Sequence, residues 1–315
     1  MNQSIGKMIV VGVDGSSRSL GSLDYLKRFF GARHELKVTL LYVLPSLPPI
    51  LVEESRKNPK VARQVKALEK KNSAVAEEIL QKGREKLIES GYDPENIETI
   101  QRPRQVGIAQ DICHWSQERK TDAVLVSSRG RGRLEAFFLG EVANRMTEFC
   151  LNAPVWILKG KAPAAKGVLI GVDPSENALR AVDHAGFMLS GTDHPIVLFH
   201  TKRKLQRFLP REVVEQLPGI DSLWSEKAEE EIAPYMKRAR EMLVEHGISA
   251  EQIESHVVKG TFRPATDILK AAAAYKCGTV ILGRRGMSNE SEFSMGTVAR
   301  KIVENASNLV LWIAD

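Results

Sequence analysis

The chain has 315 residues, 43% of them hydrophobic and 27% charged, with a formal net charge of +6. That length fits two domains of ordinary size, each able to bury its own core, and the balance excludes a disordered chain. Its seven histidines include no His-x-x-x-His pair and its three cysteines no Cys-x-x-Cys pair; a metal centre or disulfide framework is not expected, and Cys113, Cys150 and Cys277 read as buried thiols in a reducing cytosol.

In chain order, the apolar run at 8–13 ends in Gly-x-Asp and predicts a strand buried on both faces. Ser16 or Ser17 caps a helix running to Phe30, and 38–43 is a second buried strand. The apolar stretch 38–52 is broken by Pro45, Pro48 and Pro49, too short and too kinked to span a bilayer. The N-terminal residues show no secretion signal, so the expected location is cytoplasmic. A long helix is expected over 52–90, with Val61, Val65, Leu68, Val75, Ile79, Leu87 and Ile88 on its apolar side. A strand at 97–102, a helix at 108–118, a strand at 123–126, a helix at 139–150 and a strand at 155–158 complete the first half.

The second half follows the same order. Strands are expected at 168–172, 196–200, 254–258, 279–282 and 310–313, with a long helix at 222–246. The repetition is literal in places. Asp14, Leu20 and Asp24 return as Asp173, Leu179 and Asp183, and Gly130, Gly140, Val142, Trp156 and Ile157 return as Gly286, Gly296, Val298, Trp312 and Ile313. A repeat this long is a whole domain. The small-residue segment 160–167 reads as a linker, which divides the chain into domains 1–160 and 161–315. Apolar strands alternating with helices make each an α/β unit: a Rossmann-like, open, five-stranded parallel sheet with helices on both faces.

In such a sheet ligands sit at the carboxyl ends of the strands, where strand order reverses. The second half offers Asp173-Pro174-Ser175 after its first strand. After its fourth it offers Leu282, then Gly283-Arg284-Arg285-Gly286, and nine residues later Gly296-Thr297-Val298. Glycines let backbone N–H groups approach phosphate oxygens, and a helix opening at Thr297 presents unpaired N–H groups and a positive dipole end to an anion.

This pattern, Gly-x2-Gly-x9-Gly-(Ser/Thr) with an Asp after an apolar first strand, closely resembles the universal stress protein family, in two tandem copies covering essentially the whole chain. The resemblance implies a site for ATP or AMP, with Mg²⁺ as counter-ion where ATP is bound. It places Asp173 near the base, Gly283, Arg285 and Gly286 around the ribose and phosphates, and Gly296, Thr297 and Val298 at the helix N-terminus, with Leu282 also in the site. Ala299 departs from the small hydroxyl residue that often adds a phosphate contact. The family commonly dimerises through its last strand. The corresponding apolar segments 153–158 and 309–314 are therefore expected to pair within the chain as a pseudo-dimer, with homodimer formation a further option.

In the first half Asp14, Gly130 and Gly140 match, but Ser127 replaces the first motif glycine and Glu141 the Ser/Thr. A carboxylate there repels phosphate by roughly 4 kcal/mol at about 4 Å and an effective dielectric of 20, offset in part by Arg129, Arg131 and Arg133. The simpler reading of Glu141 is an acidic residue favoured near a helix N-terminus in a domain kept for packing. Nucleotide is thus expected in the second half.

Arg129-Gly-Arg-Gly-Arg133 lacks aromatic interleaving and falls on the phosphate loop, so nucleic acid is not the expected partner. A Walker sequence and a Gly-x-Ser-x-Gly elbow are both missing. Two classes remain. One is an adenine-nucleotide-binding regulatory protein of the stress response, with at most slow ATP hydrolysis and an unidentified protein partner. The other is a structural or partner-binding protein of the same fold that no longer binds nucleotide usefully. No acid, base or nucleophile is positioned for a true enzyme.

Overall fold

The computed structural model describes residues 6–31, 36–128, 145–150, 153–259, 262–286 and 295–315. Its contacts divide the chain into two compact units, Met1–Ala153 and Pro154–Asp315.

In the first unit, β1 (Lys7–Gly12), β2 (Leu36–Leu44), β3 (Ile97–Pro103) and β4 (Ala123–Ser128) are the expected apolar runs. They align in parallel in the order β3-β2-β1-β4. Helix α1 (Ser17–Phe30) is capped by Ser16, whose side chain accepts from the Ser19 N–H, and it buries Leu23, Tyr25, Leu26, Phe29 and Phe30.

The single helix expected over 52–90 is two helices, α2 (Pro49–Lys57) and α3 (Pro59–Glu89). Pro59 has no N–H and drives the residue before it out of the helical region. Asn58 accordingly sits at φ −127°, ψ 112°, and its side chain accepts from the Lys60 N–H. The buried stripe of α3 is Ala76, Leu80, Gly83 and Leu87, whereas Leu68 and Val75 are exposed. The N-terminal part of α3 therefore does not cover the sheet.

Helix α4 (Ile108–Arg119) carries Cys113, and its sulfur is bonded to that of Cys150, with Cα atoms 5.3 Å apart. This corrects the expectation of two incidental thiols. Residues 37 positions apart give no spacing signal, and only the return of 145–150 onto α4 brings them together. Cys277 remains a buried thiol, and burial pushes its pKa up to about 11.

The second unit contains β5 (Val155–Lys159), β6 (Gly167–Gly171), α5 (Glu176–Leu189), β7 (Ile196–Lys202), α6 (Arg211–Glu215), α7 (Ile220–Glu245), β8 (Ile253–Lys259), α8 (Pro264–Ala274), β9 (Cys277–Gly283), α9 (Thr297–Asn305) and β10 (Leu309–Ala314). Strands β6 to β10 form a parallel sheet in the order β10-β9-β6-β7-β8. Strand β5, the last of the first repeat, pairs antiparallel with β10, the last of the second, with Trp156 opposite Trp312. The expected pairing of last strands is present. The two indole rings stack 3.8 Å apart and nearly parallel, and Trp156 Nε1 donates to Nε2 of the half-buried His184 at 3.1 Å.

Candidate functional site

Strand β6 pairs with β7 on one side and β9 on the other, so the chain leaves it in both directions. Such a switch point opens a crevice at the carboxyl ends of the strands. A cavity of about 580 Å³ lies there. Asp173 follows β6; Leu282 and Gly283 end β9; Arg285 and Gly286 form the next turn; Gly296, Thr297 and Val298 begin α9. All eight residues singled out from the sequence line this one cavity.

Asp173 is held in place from two sides. Ser175 Oγ donates to its Oδ1, while the same hydroxyl caps α5 by accepting from the Ala178 N–H at 3.2 Å. The other carboxylate oxygen lies against Gly286, where a β-carbon would overlap it.

The glycines act partly through packing. At Gly283 a β-carbon would stand 2.8 Å from the backbone carbonyl of Asn177, so this glycine lets β9 end against the first turn of α5. Gly296 donates its N–H to the Arg284 carbonyl at 2.9 Å, and a β-carbon on it would meet that oxygen at 3.3 Å. Its amide is thus directed at the turn rather than at a ligand. The start of α9 is therefore seated on 284–286. An anion in the cavity would face the N–H groups of that first turn, which have no acceptor within a helix.

The two arginines of the turn converge on one carboxylate. Arg284 Nε lies 3.0 Å from Asp315 Oδ2, and Arg285 Nη2 donates to Oδ1 at 3.2 Å. Arg284 is almost wholly buried, and its desolvation pulls the guanidinium pKa down against the opposing pull of Asp315. Arg285 is a quarter exposed and reaches the cavity, so the residue expected at the phosphates already has an internal anionic partner.

The far wall was not legible in the motif. It comprises Phe199, His200, Thr201 and Lys202 of β7, then Arg203, Arg207, Phe208, Trp224 and Glu231. Lys202 Nζ donates to Glu229 and to Ser225 Oγ, both at 2.9 Å, while Trp224 Nε1 donates to the Arg203 carbonyl at 2.6 Å. These bonds tie the amino-terminal half of α7 to the end of β7. The available signal was positional: β7 neighbours β6, so its carboxyl end also borders the switch point.

In the first unit Asp14 follows β1 in the corresponding loop, and its Oδ1 accepts from the Ser16 N–H at 2.9 Å. Ser127, which replaces the glycine, is buried at the end of β4. Arg129, Gly130, Arg131, Arg133, Gly140, Glu141 and Val142 lie outside the described residues. Among the described residues there is no cluster of three His, Cys, Asp or Glu able to hold a metal. None of the described helices is long and apolar enough to cross a membrane.

The fold has solved counterparts. A universal stress protein from Archaeoglobus fulgidus DSM 4304 superposes with a TM-score of 0.65 at 18% identity, with 99% of each chain covered. A functionally unknown protein from Pseudomonas aeruginosa PAO1 gives a TM-score of 0.56 at 16% identity, covering 99% of this chain and 93% of its own. The sequence profile described as "Universal stress protein family" matches twice, over residues 7–159 and 165–313. With the duplicated α/β unit, the switch-point cavity and two profile matches spanning nearly its whole length, the chain belongs to the universal stress protein family.

Proposed function

We propose that the second half binds an adenine nucleotide, ATP or AMP, in the switch-point cavity, and that the protein acts as a nucleotide-responsive regulator in the stress response. The observation that carries this reading is the convergence of Asp173, Leu282, Gly283, Arg285, Gly286, Gly296, Thr297 and Val298 on one cavity of about 580 Å³, a size suited to a small ligand. Asp173 supplies an acceptor for base or ribose, and the first turn of α9 an anion-facing helix end. Where ATP is bound, Mg²⁺ would neutralise phosphate charge. The groups lining the cavity position a ligand, and among the described residues no general base stands beside a nucleophile. Turnover of ATP is therefore slow, well below the roughly 1 to 1,000 per second of ordinary enzymes. A cytoplasmic location, a protein partner and a homodimer remain parts of the same proposal.

The second reading, a partner-binding protein without useful nucleotide affinity, draws on the Arg284 and Arg285 pairing with Asp315 and on the Gly296 amide held by Arg284. Protein purified without added nucleotide, denatured and analysed by mass and retention time separates the two. Release of ATP or AMP in near-stoichiometric amount supports the first. Protein that releases none and does not bind added nucleotide establishes the second.

A further inference from the structure

The β7 wall of the cavity carries a group that the nucleotide reading leaves unassigned. His200 is half-buried, lines the cavity and places Nδ1 2.7 Å from the Val172 carbonyl oxygen. A carbonyl can only accept, so Nδ1 carries the hydrogen. A neutral imidazole has one N–H, which leaves Nε2 with its lone pair. Among the described residues no group donates to that nitrogen.

The charged groups around the ring come from three elements: Asp173 beyond β6, Arg203 beyond β7 and Glu231 of α7. Burial is the largest influence on the ring and lowers its pKa, against the Val172 hydrogen bond and Asp173, so the ring is neutral near pH 7. Beside the donor Arg203, two carboxylates and an imidazole lone pair give this part of the wall its acceptors. A ring that offers an amino N–H suits such a wall; a ring that offers a carbonyl there sets lone pair against lone pair.

We propose that His200 is a specificity residue of the cavity, its Nε2 accepting a hydrogen bond from an exocyclic amino group on the ligand's ring while Val172 fixes the tautomer. The proposal rests on the nucleotide reading and names what in this chain selects an amino-bearing base. The strand registers, Gly171 opposite Phe199 and Gly12 opposite Leu41, place Tyr42 at the matching position of the first unit. A phenol there both donates and accepts, and so lacks the selectivity of a fixed lone pair.

The test is calorimetric titration of the full chain with ATP and with purine riboside 5′-triphosphate, which differs by lacking the amino group. The parent is expected to bind ATP roughly tenfold tighter, the equivalent of one hydrogen bond. Folded His200→Phe, checked by near-ultraviolet circular dichroism, is expected to bind the two equally. Nitrogen-15 histidine labelling gives a readout in the unaltered protein: the His200 Nε2 resonance moves with ATP and not with the analogue. Equal affinities in the parent, a preference that survives His200→Phe, or an unmoved Nε2 resonance overturns the proposal while leaving nucleotide binding intact. A parent that binds neither compound overturns both readings together.

Discussion

The carboxylate of Asp173 lies so close to Gly286 that a β-carbon at 286 would overlap Oδ2. The loop after the first strand of the second repeat and the loop after its fourth are thus fitted to each other through one missing side-chain atom. Gly286→Ala should displace the carboxylate, the flexible end of its side chain, at little cost to stability. Nucleotide affinity should fall roughly tenfold or more, as expected for a hydrogen bond to a charged group, with the thermal midpoint almost unchanged. Titration and thermal unfolding of the same preparation check this. Unaltered affinity would remove Asp173 from the ligand's contacts.

Cys113 and Cys150 close a loop across 37 positions of the first unit. Closing a loop of that length typically contributes about 2–4 kcal/mol by restricting the unfolded chain. Urea unfolding of the first unit should therefore shift to lower denaturant on reduction with dithiothreitol, and Cys113→Ser should reproduce the shift without further response to reductant. Coincident curves for oxidised, reduced and substituted protein would show that the bond adds nothing.

His184 gives a pH dependence of definite sign. Burial depresses its pKa from 6.5 to about 4, with Asp183 opposing. Between those values the unfolded chain holds a proton that the folded chain refuses, so stability falls as pH falls. The contribution is complete above pH 6.5 and is lost progressively as pH drops toward 4. By pH 5 the loss is about 2 kcal/mol. Urea unfolding at pH 7.5 and 5 should show this loss in the parent and a smaller one in His184→Leu. The comparison with the variant separates His184 from other titrating groups. Identical losses in both proteins would mean that His184 titrates normally.

The succession of strands and helices in each repeat could be read from the sequence because duplication displays the pattern twice, and the eight cavity residues because the loop ends carry a spacing that resembles a known family's. Three features could not be read. The division of the long helix falls at Pro59, before the first of the apolar positions that marked it, and Leu68 and Val75 among those positions turn out exposed. The Cys113–Cys150 bond depends on a chain return that no local spacing encodes. The wall of His200, Trp224 and Glu231 is assembled from a strand and a helix far apart in sequence, so no contiguous motif announces it. Packing accounts for part of the glycine pattern. Gly283 is required by the approach of the Asn177 backbone, a packing constraint that looks like a phosphate-loop signature in sequence. At the matching position in the first unit, Ser127 is buried at the end of β4, where a side chain is accommodated.

The central claim is that one adenine-nucleotide site lies in the second half of the chain. Calorimetric titration of nucleotide-free protein with ATP and with AMP tests it most directly. The account predicts about one site per chain, abolished by Gly286→Val and by Gly296→Val, since a β-carbon at 296 already meets the backbone of Arg284 and Arg285 at 3.3 Å. Two equal sites, binding that survives both substitutions, or no binding of either nucleotide would contradict it.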